Sequence, residues 1–275
     1  MEGKSTVFGC KDDCSGFKGD LIIPSAEQQI QLNSSSKGNQ RKWYVDGKYV
    51  KEQFFYQGKY WKDNYVEVIA STIAEQIQDL SPVVEQHLCK IRFNGCVTEG
   101  CYSDNFCKNN ERFLSFKRLC DLKDISICDS SDCVEKYHWC LSVLNSVDID
   151  FTNYLQSMIL LDYLVGNEDR HYNNFGLIAT PTGYSVAPLF DFGLGLFEHD
   201  LCYAGVPFRE CLSMMQSKPF SRDNQVIMNY VLDHGAADLL PERLDLTGVV
   251  IPSQKAGSYL LNRCKILGIK LEGVS

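Results

Sequence analysis

From Asn64 onward the apolar positions Val66, Ile69, Ala70, Ile73, Ala74, Ile77 and Leu80 recur at three- and four-residue spacing, with Glu67, Ser71, Glu75 and Gln78 between them. That period predicts an amphipathic helix with Asn64 as N-cap, running on to Ser81-Pro82. A second run, Leu155, Met158, Ile159, Leu161, Asp162, Leu164 and Val165, is apolar around most of its circumference and predicts a central helix ending at Gly166. Two-residue alternation appears where Lys42-Trp43-Tyr44-Val45 and Lys48-Tyr49-Val50-Lys51 flank Asp46-Gly47, a pair suited to a type I′ turn. Closing that hairpin sets Val45 opposite Lys48, Tyr44 opposite Tyr49, Trp43 opposite Val50 and Lys42 opposite Lys51. Further strands are expected at residues 87–93 and 112–116, and on either side of Thr180-Pro181-Thr182-Gly183. Later helices are expected at residues 229–232 and 255–267. Residues 33–39, rich in Ser, Gly and Asn, read as a loop.

The chain has 275 residues, 44% hydrophobic and 23% charged, which suits a globular protein of two lobes with a cleft between them. A boundary near Leu119 divides it into residues 1–118 and 119–275. Asp and Glu outnumber Lys and Arg by 35 to 27, which opposes nonspecific nucleic-acid binding. No apolar run is long enough to span a membrane and no leader is evident, so the expectation is a cytoplasmic protein without membrane insertion. The 13 cysteines are odd in number and include no Cys-x-x-Cys pair, which favours reduced thiols over a disulfide framework. Seven of them, Cys96, Cys101, Cys107, Cys120, Cys128, Cys133 and Cys140, share one stretch near His87 and His138. Free thiols are preferred there to a zinc site, whose ligand pairs are usually tighter.

The densest chemistry follows the central helix, in Gly166-Asn-Glu-Asp-Arg-His-Tyr-Asn-Asn174. Four residues separate Asp169 from Asn174, the spacing of the hydroxyl-orienting Asp and metal-holding Asn of a protein-kinase catalytic loop. Asp191-Phe192-Gly193 then offers a second carboxylate for magnesium. Phosphoryl transfer also needs a cation on the opposite wall, which Lys51 can supply. A polar loop can also simply cap its helix. Likewise, the facing Lys42 and Lys51 either hold an anion between them or protect a strand edge. Glu67 is the ion-pair partner of Lys51, the return half of a capping box begun by Asn64, or both.

Asp169-Arg170-His171-Tyr172-Asn173-Asn174-Phe175 and Ala187-Pro188-Leu189-Phe190-Asp191 resemble the HipA-like kinases, including their compact CtkA-like members. Their loop reads Asp-x-His-x-x-Asn, and their metal Asp follows Pro-x-Tyr/Phe. Gly38-Asn39-Gln40-Arg41-Lys42 is similar to that family's Gly-x-Gln-x-Lys phosphate loop, and residues 46–51 to the strand carrying its nucleotide lysine. The resemblance implies an α+β, two-lobed protein-kinase-like fold, with a small β-rich N-lobe holding one helix and a larger, mainly helical C-lobe. It implies ATP and Mg²⁺ as cofactors and Ser/Thr phosphorylation of a protein substrate. Carried over residue by residue, it makes Asp169 the catalytic base, His171 a support of the catalytic loop, and Asn174 and Asp191 the metal ligands. Ser35, Gly38, Lys42, Lys51 and Glu67 would serve the nucleotide. Ser35 stands three before the glycine, where such kinases autophosphorylate. The residues before Ser34 are too few for the additional subdomain of HipA toxins, so an antitoxin or DNA partner is not expected.

Phosphoinositide kinases share Asp-Arg-His-x-x-Asn, but residues 191–211 hold Asp191, Glu198, Asp200 and Glu210 against Arg209 alone, a poor receiver for an anionic headgroup. A binding-only pseudokinase sits badly with a full set of catalytic groups. A metal-dependent hydrolase built on Asp169, His171 and Asp191 would leave Gly38, Lys42 and Lys51 without a role.

Overall fold

The computed structural model describes residues 20–30, 40–56, 58–198 and 203–274. Its fold is a mixture of sheet and helix. Strands β1 (Asp20–Ile22), β2 (Lys42–Val45) and β3 (Lys48–Glu52) come first, then a two-stranded ribbon, β4 (Phe55–Tyr56) and β5 (Lys59–Tyr60), and helix α1 (Asp63–Ala74). The antiparallel pair β6 (His87–Phe93) and β7 (Cys96–Asp104) completes a five-stranded sheet of order β1-β6-β7-β3-β2. The β2–β3 hairpin has the expected register, Lys42 opposite Lys51 and Trp43 opposite Val50. Its turn residues Asp46 and Gly47 both have positive φ, as a type I′ turn requires.

The mainly helical remainder begins with β8 (Arg112–Ser115), α2 (Phe116–Leu122), α3 (Cys133–Asn145) and α4 (Thr152–Val165). A hairpin of β9 (Gly176–Thr180) and β10 (Gly183–Val186) follows, and β8 pairs with β9 to make a second sheet. The chain continues with α5 (Phe208–Met214), α6 (Asn224–Asp233), β11 (Arg243–Asp245), α7 (Gln254–Leu267) and β12 (Lys270–Glu272). Nearly all of α4 is buried, because α1, α6 and α7 pack around it. Gly166 ends it in the left-handed conformation, at φ 62°. A Cβ there would stand 2.9 Å from both Met215 and Tyr259, so space and backbone both select glycine.

Several sequence expectations need correction. Helix α1 starts two residues early, at Asp63 with Lys62 in the N-cap position, and Asn64 is not its cap: it lies inside the first turn, buried, accepting a hydrogen bond from Gln53. The helix also stops at Ala74, short of Ser81-Pro82. Beyond it Gln76 makes two side-chain hydrogen bonds with the backbone of Asp245, and Asp79 takes a positive φ. Elements also form where the pattern gives no sign of them. Strand β7 carries cysteines and Gly100, α2 is short, and α3 falls in a stretch where no element is expected. The start of α3 does carry a local signal in Asp132, whose side chain caps the amides of Val134 and Glu135. A division at 118/119 would cut through α2, and β8 before it already belongs to the second sheet.

The seven clustered cysteines spread over β7, α2, α3 and their connections as free thiols. Among the described residues no group of three or more His, Cys, Asp or Glu is placed to hold a metal ion. No described helix is long and apolar enough to cross a membrane.

Candidate functional site

The site is assembled from β3, α1, the loop after α4 and the segment after β10. Residues 167–174 leave the end of α4 under tight control. Asp162, in the last turn of the helix, accepts from Nε and Nη2 of Arg170 at 2.9 and 2.8 Å, and from the side-chain amide of Asn167 at 2.8 Å. Arg170 is completely buried, and its Nη1 donates to the carbonyls of Asn174 and Phe190 at 2.9 and 2.6 Å. One guanidinium therefore ties the helix, the loop and the Asp191 segment into a unit. The motif spacing assigns no role to either Asp162 or Arg170; only the fold shows that they meet. Helix α2 grips the same loop: the Phe116 and Lys117 backbone amides each donate at 2.8 Å, to the carbonyls of Phe175 and Tyr172.

Within this frame the Asn174 side-chain amide donates to Oδ2 of Asp191 at 2.7 Å, and Oδ1 of Asp191 faces the Lys51 ammonium at 3.2 Å. Lys51 reaches Oε1 of Glu67 at 2.8 Å, while Oε2 of Glu67 accepts the Phe192 amide at 2.9 Å. Both oxygens of Glu67 are thus committed to the site. The capping-box reading of Glu67 is overturned, and its ion pair with Lys51 stands. Burial alone would lower the Lys51 pKa, but Glu67, Asp191 and Asp63 carry it well above the ordinary lysine value. Lys51 is therefore a fixed cation at neutral pH. Burial in turn raises the pKa of Asp63, against the opposing pull of Lys51, the Phe54 amide and Gln40. Gln40 joins the end of the expected phosphate loop to α1, donating to Oδ2 of Asp63 at 2.7 Å and to the Glu52 carbonyl at 2.8 Å.

Lys51, Glu67, Asn174 and Asp191 share a cavity of about 600 Å³ with Lys42, which lies across the hairpin from Lys51. Another part of its wall is aromatic. Phe106 stacks on Phe190 at 5.7 Å between centroids, and Phe113 meets Phe190 edge-on at 5.1 Å. Neither Phe106 nor Phe113 lies in a motif, so no sequence signal points to them. Asp169 stands partly exposed on the loop, with its backbone amide donating to Asn167 Oδ1 at 3.2 Å and its carboxylate 3.9 Å from Lys218. His171 accepts the Asn173 amide through Nδ1 at 3.3 Å, a contact internal to the loop. Ser35 and Gly38 lie outside the described residues.

Asp191 offers carboxylate oxygens, and the Asn174 side chain, turned about its last torsion, offers a carbonyl oxygen beside them. An all-oxygen pair of this kind suits a hard divalent cation such as Mg²⁺.

A lysine–glutamate pair against a carboxylate and an amide, in a cavity with an apolar wall, is an arrangement suited to phosphoryl transfer. The fold has a known counterpart. The proinflammatory kinase CtkA of Helicobacter pylori superposes with a TM-score of 0.53 over 90% of this chain and 93% of its own, at 15% identity. HipA of Shewanella oneidensis, solved with HipB and operator DNA, gives a TM-score of 0.40 at 16% identity, over 92% of this chain and 58% of its own. No family model and no curated protein matches the sequence. The chain thus has a fold similar to that of a kinase, CtkA, which is of the kind its motifs resemble.

Proposed function

We propose that the protein is an ATP- and Mg²⁺-dependent Ser/Thr protein kinase of HipA-like type. The observation that carries this reading is the convergence of Lys51, Asn174 and Asp191 in a cavity also lined by Phe106, Phe113 and Phe190. A nucleotide is amphipathic in the same sense, with a flat apolar base and a polyanionic tail. The base stacks among the phenylalanines, and the phosphates lie toward Lys51 and Lys42. Asn174 and Asp191 would hold the metal, which would supply neutralisation of the phosphate charge. Asp169 accepts the proton of the attacking hydroxyl, and His171 keeps the loop in shape. The five-stranded sheet with α1 is the N-lobe and the helical remainder the C-lobe, divided between Asp104 and Arg112.

The test is incubation of the full chain with γ-labelled ATP and Mg²⁺, with a panel of Ser/Thr peptides and lipids, followed by mass spectrometry. Label on a serine or threonine supports the reading, label on lipid transfers it to the phosphoinositide class, and ATP binding without transfer reduces it to a pseudokinase. The same spectra report whether Ser35 is modified.

Lys51→Met should lower transfer by about 10²–10³-fold, the loss typical of one well-placed electrostatic donor. Lys42→Met should cost less, because Lys51 is the one of the two held between Glu67 and Asp191. Equal and negligible losses from both, in proteins with unchanged circular dichroism, would return the lysine pair to edge protection.

A further inference from the structure

After α5 the chain turns back toward the loop that carries Asp169, and Glu168 holds it there. One oxygen of Glu168 accepts the Gln216 amide at 2.9 Å, and the other accepts the Tyr203 hydroxyl. Met215 and Phe220 are buried on either side of this turn. Ser217 and Ser221 close it with reciprocal backbone hydrogen bonds of 2.9 and 2.8 Å. What the turn presents is Lys218. Its ammonium lies 3.9 Å from Oδ1 of Asp169, and 52% of its side chain remains exposed. A half-exposed pair at that distance does little for stability. Yet ordered contacts on both sides fix the turn that delivers the lysine to this carboxylate.

We propose that Lys218 is a further catalytic residue, a second cation that meets the phosphoryl group in transit. This rests on the kinase reading above. In the transfer step the acceptor oxygen bonds to the γ-phosphorus while the bond from that phosphorus to the β–γ bridging oxygen breaks. ADP leaves with the electron pair of the broken bond, and the hydroxyl proton passes to Asp169. Asp169 thereby becomes neutral. The Lys218 ammonium loses the charge of the carboxylate it faces just as the phosphoryl oxygens pass to the acceptor. Its flexible four-carbon stem lets it follow them. An interaction that strengthens from ground state to transition state raises kcat rather than affinity. Lys51 cannot do this work, being held between Glu67 and Asp191. The division of labour is then spatial: Lys51 serves the phosphates that depart with ADP, and Lys218 the group that moves.

The experiment compares full-length wild type, Lys218→Met, Lys218→Gln and Lys218→Arg for transfer from γ-labelled ATP to a Ser/Thr peptide. It records kcat, the KM for ATP, and ATP affinity by fluorescence titration. The expected result is a fall in kcat of about 10–100-fold for Met and Gln, with KM and affinity for ATP within about twofold of wild type. Arginine should recover most of the rate, since it restores charge without restoring lysine's shape. Wild-type kcat in a folded Met or Gln variant overturns the proposal, as does a loss of ATP affinity with kcat intact. A wild-type chain that transfers no phosphate to any acceptor overturns the kinase reading itself, and this proposal with it. The two failures are therefore distinguishable.

Discussion

Asp169→Asn is expected to lower phosphoryl transfer by about 10²–10⁴-fold while leaving ATP affinity unchanged, the loss typical of removing a positioned general base. The substitution preserves shape, and the hydrogen bond from the Asp169 backbone amide to Asn167 does not depend on the Asp169 side chain. What disappears is the capacity to take a proton and the negative charge that Lys218 faces. Asp191→Asn provides the contrast. Its carboxylate contacts both Lys51 and Asn174, so its loss should weaken binding of the metal–nucleotide complex as well as transfer. Titration with a fluorescent ATP analogue, with and without Mg²⁺, separates the two variants from each other. Transfer at the wild-type rate by Asp169→Asn would remove that residue from the chemistry.

How much of this is legible in the sequence depends on how local each signal is. The β2–β3 hairpin can be read to its register, because a two-residue period and an Asp-Gly turn leave few alternatives. Helix α4 can be read because an apolar run ending in glycine has one natural stop. Asp169, Asn174 and Asp191 are legible as spacing alone. Strand β7 is not, since its cysteines and Gly100 give no alternation, and its strand character comes from pairing with β3 and β6 on both sides. The aromatic wall of the cavity is equally silent. Phe190 is far along the chain from Phe106 and Phe113, and only the fold makes them neighbours. Glu67 shows the opposite difficulty. Its sequence context offers a capping box and an ion pair, and the choice is made by Lys51 and the Phe192 amide, which arrive from other parts of the chain.

The motif hides one more partnership, between Arg170 and Asp162, and it sets the second large expectation. Asp162→Ala should destabilise the protein by about 3–5 kcal/mol, the usual cost of leaving one member of a buried ion pair alone. Arg170 has no exposed surface, so water cannot replace the carboxylate without opening the core around α4. Removing both charges is different. The double variant Asp162→Leu/Arg170→Met should recover only part of the lost stability: an apolar pair avoids the desolvation cost of the charges, but the Asn167 amide and the carbonyls of Asn174 and Phe190 lose their partners. It should not recover transfer. Arg170 also holds the carbonyls of Asn174 and Phe190, on which the positions of the Asn174 and Asp191 side chains depend. Urea denaturation and the γ-labelled ATP assay, run on both variants, read stability and transfer separately. A double variant that is stable and fully active would mean that the clamp only fills space. A stable but inactive one would show that the buried guanidinium sets the geometry of the Asn174–Asp191 pair.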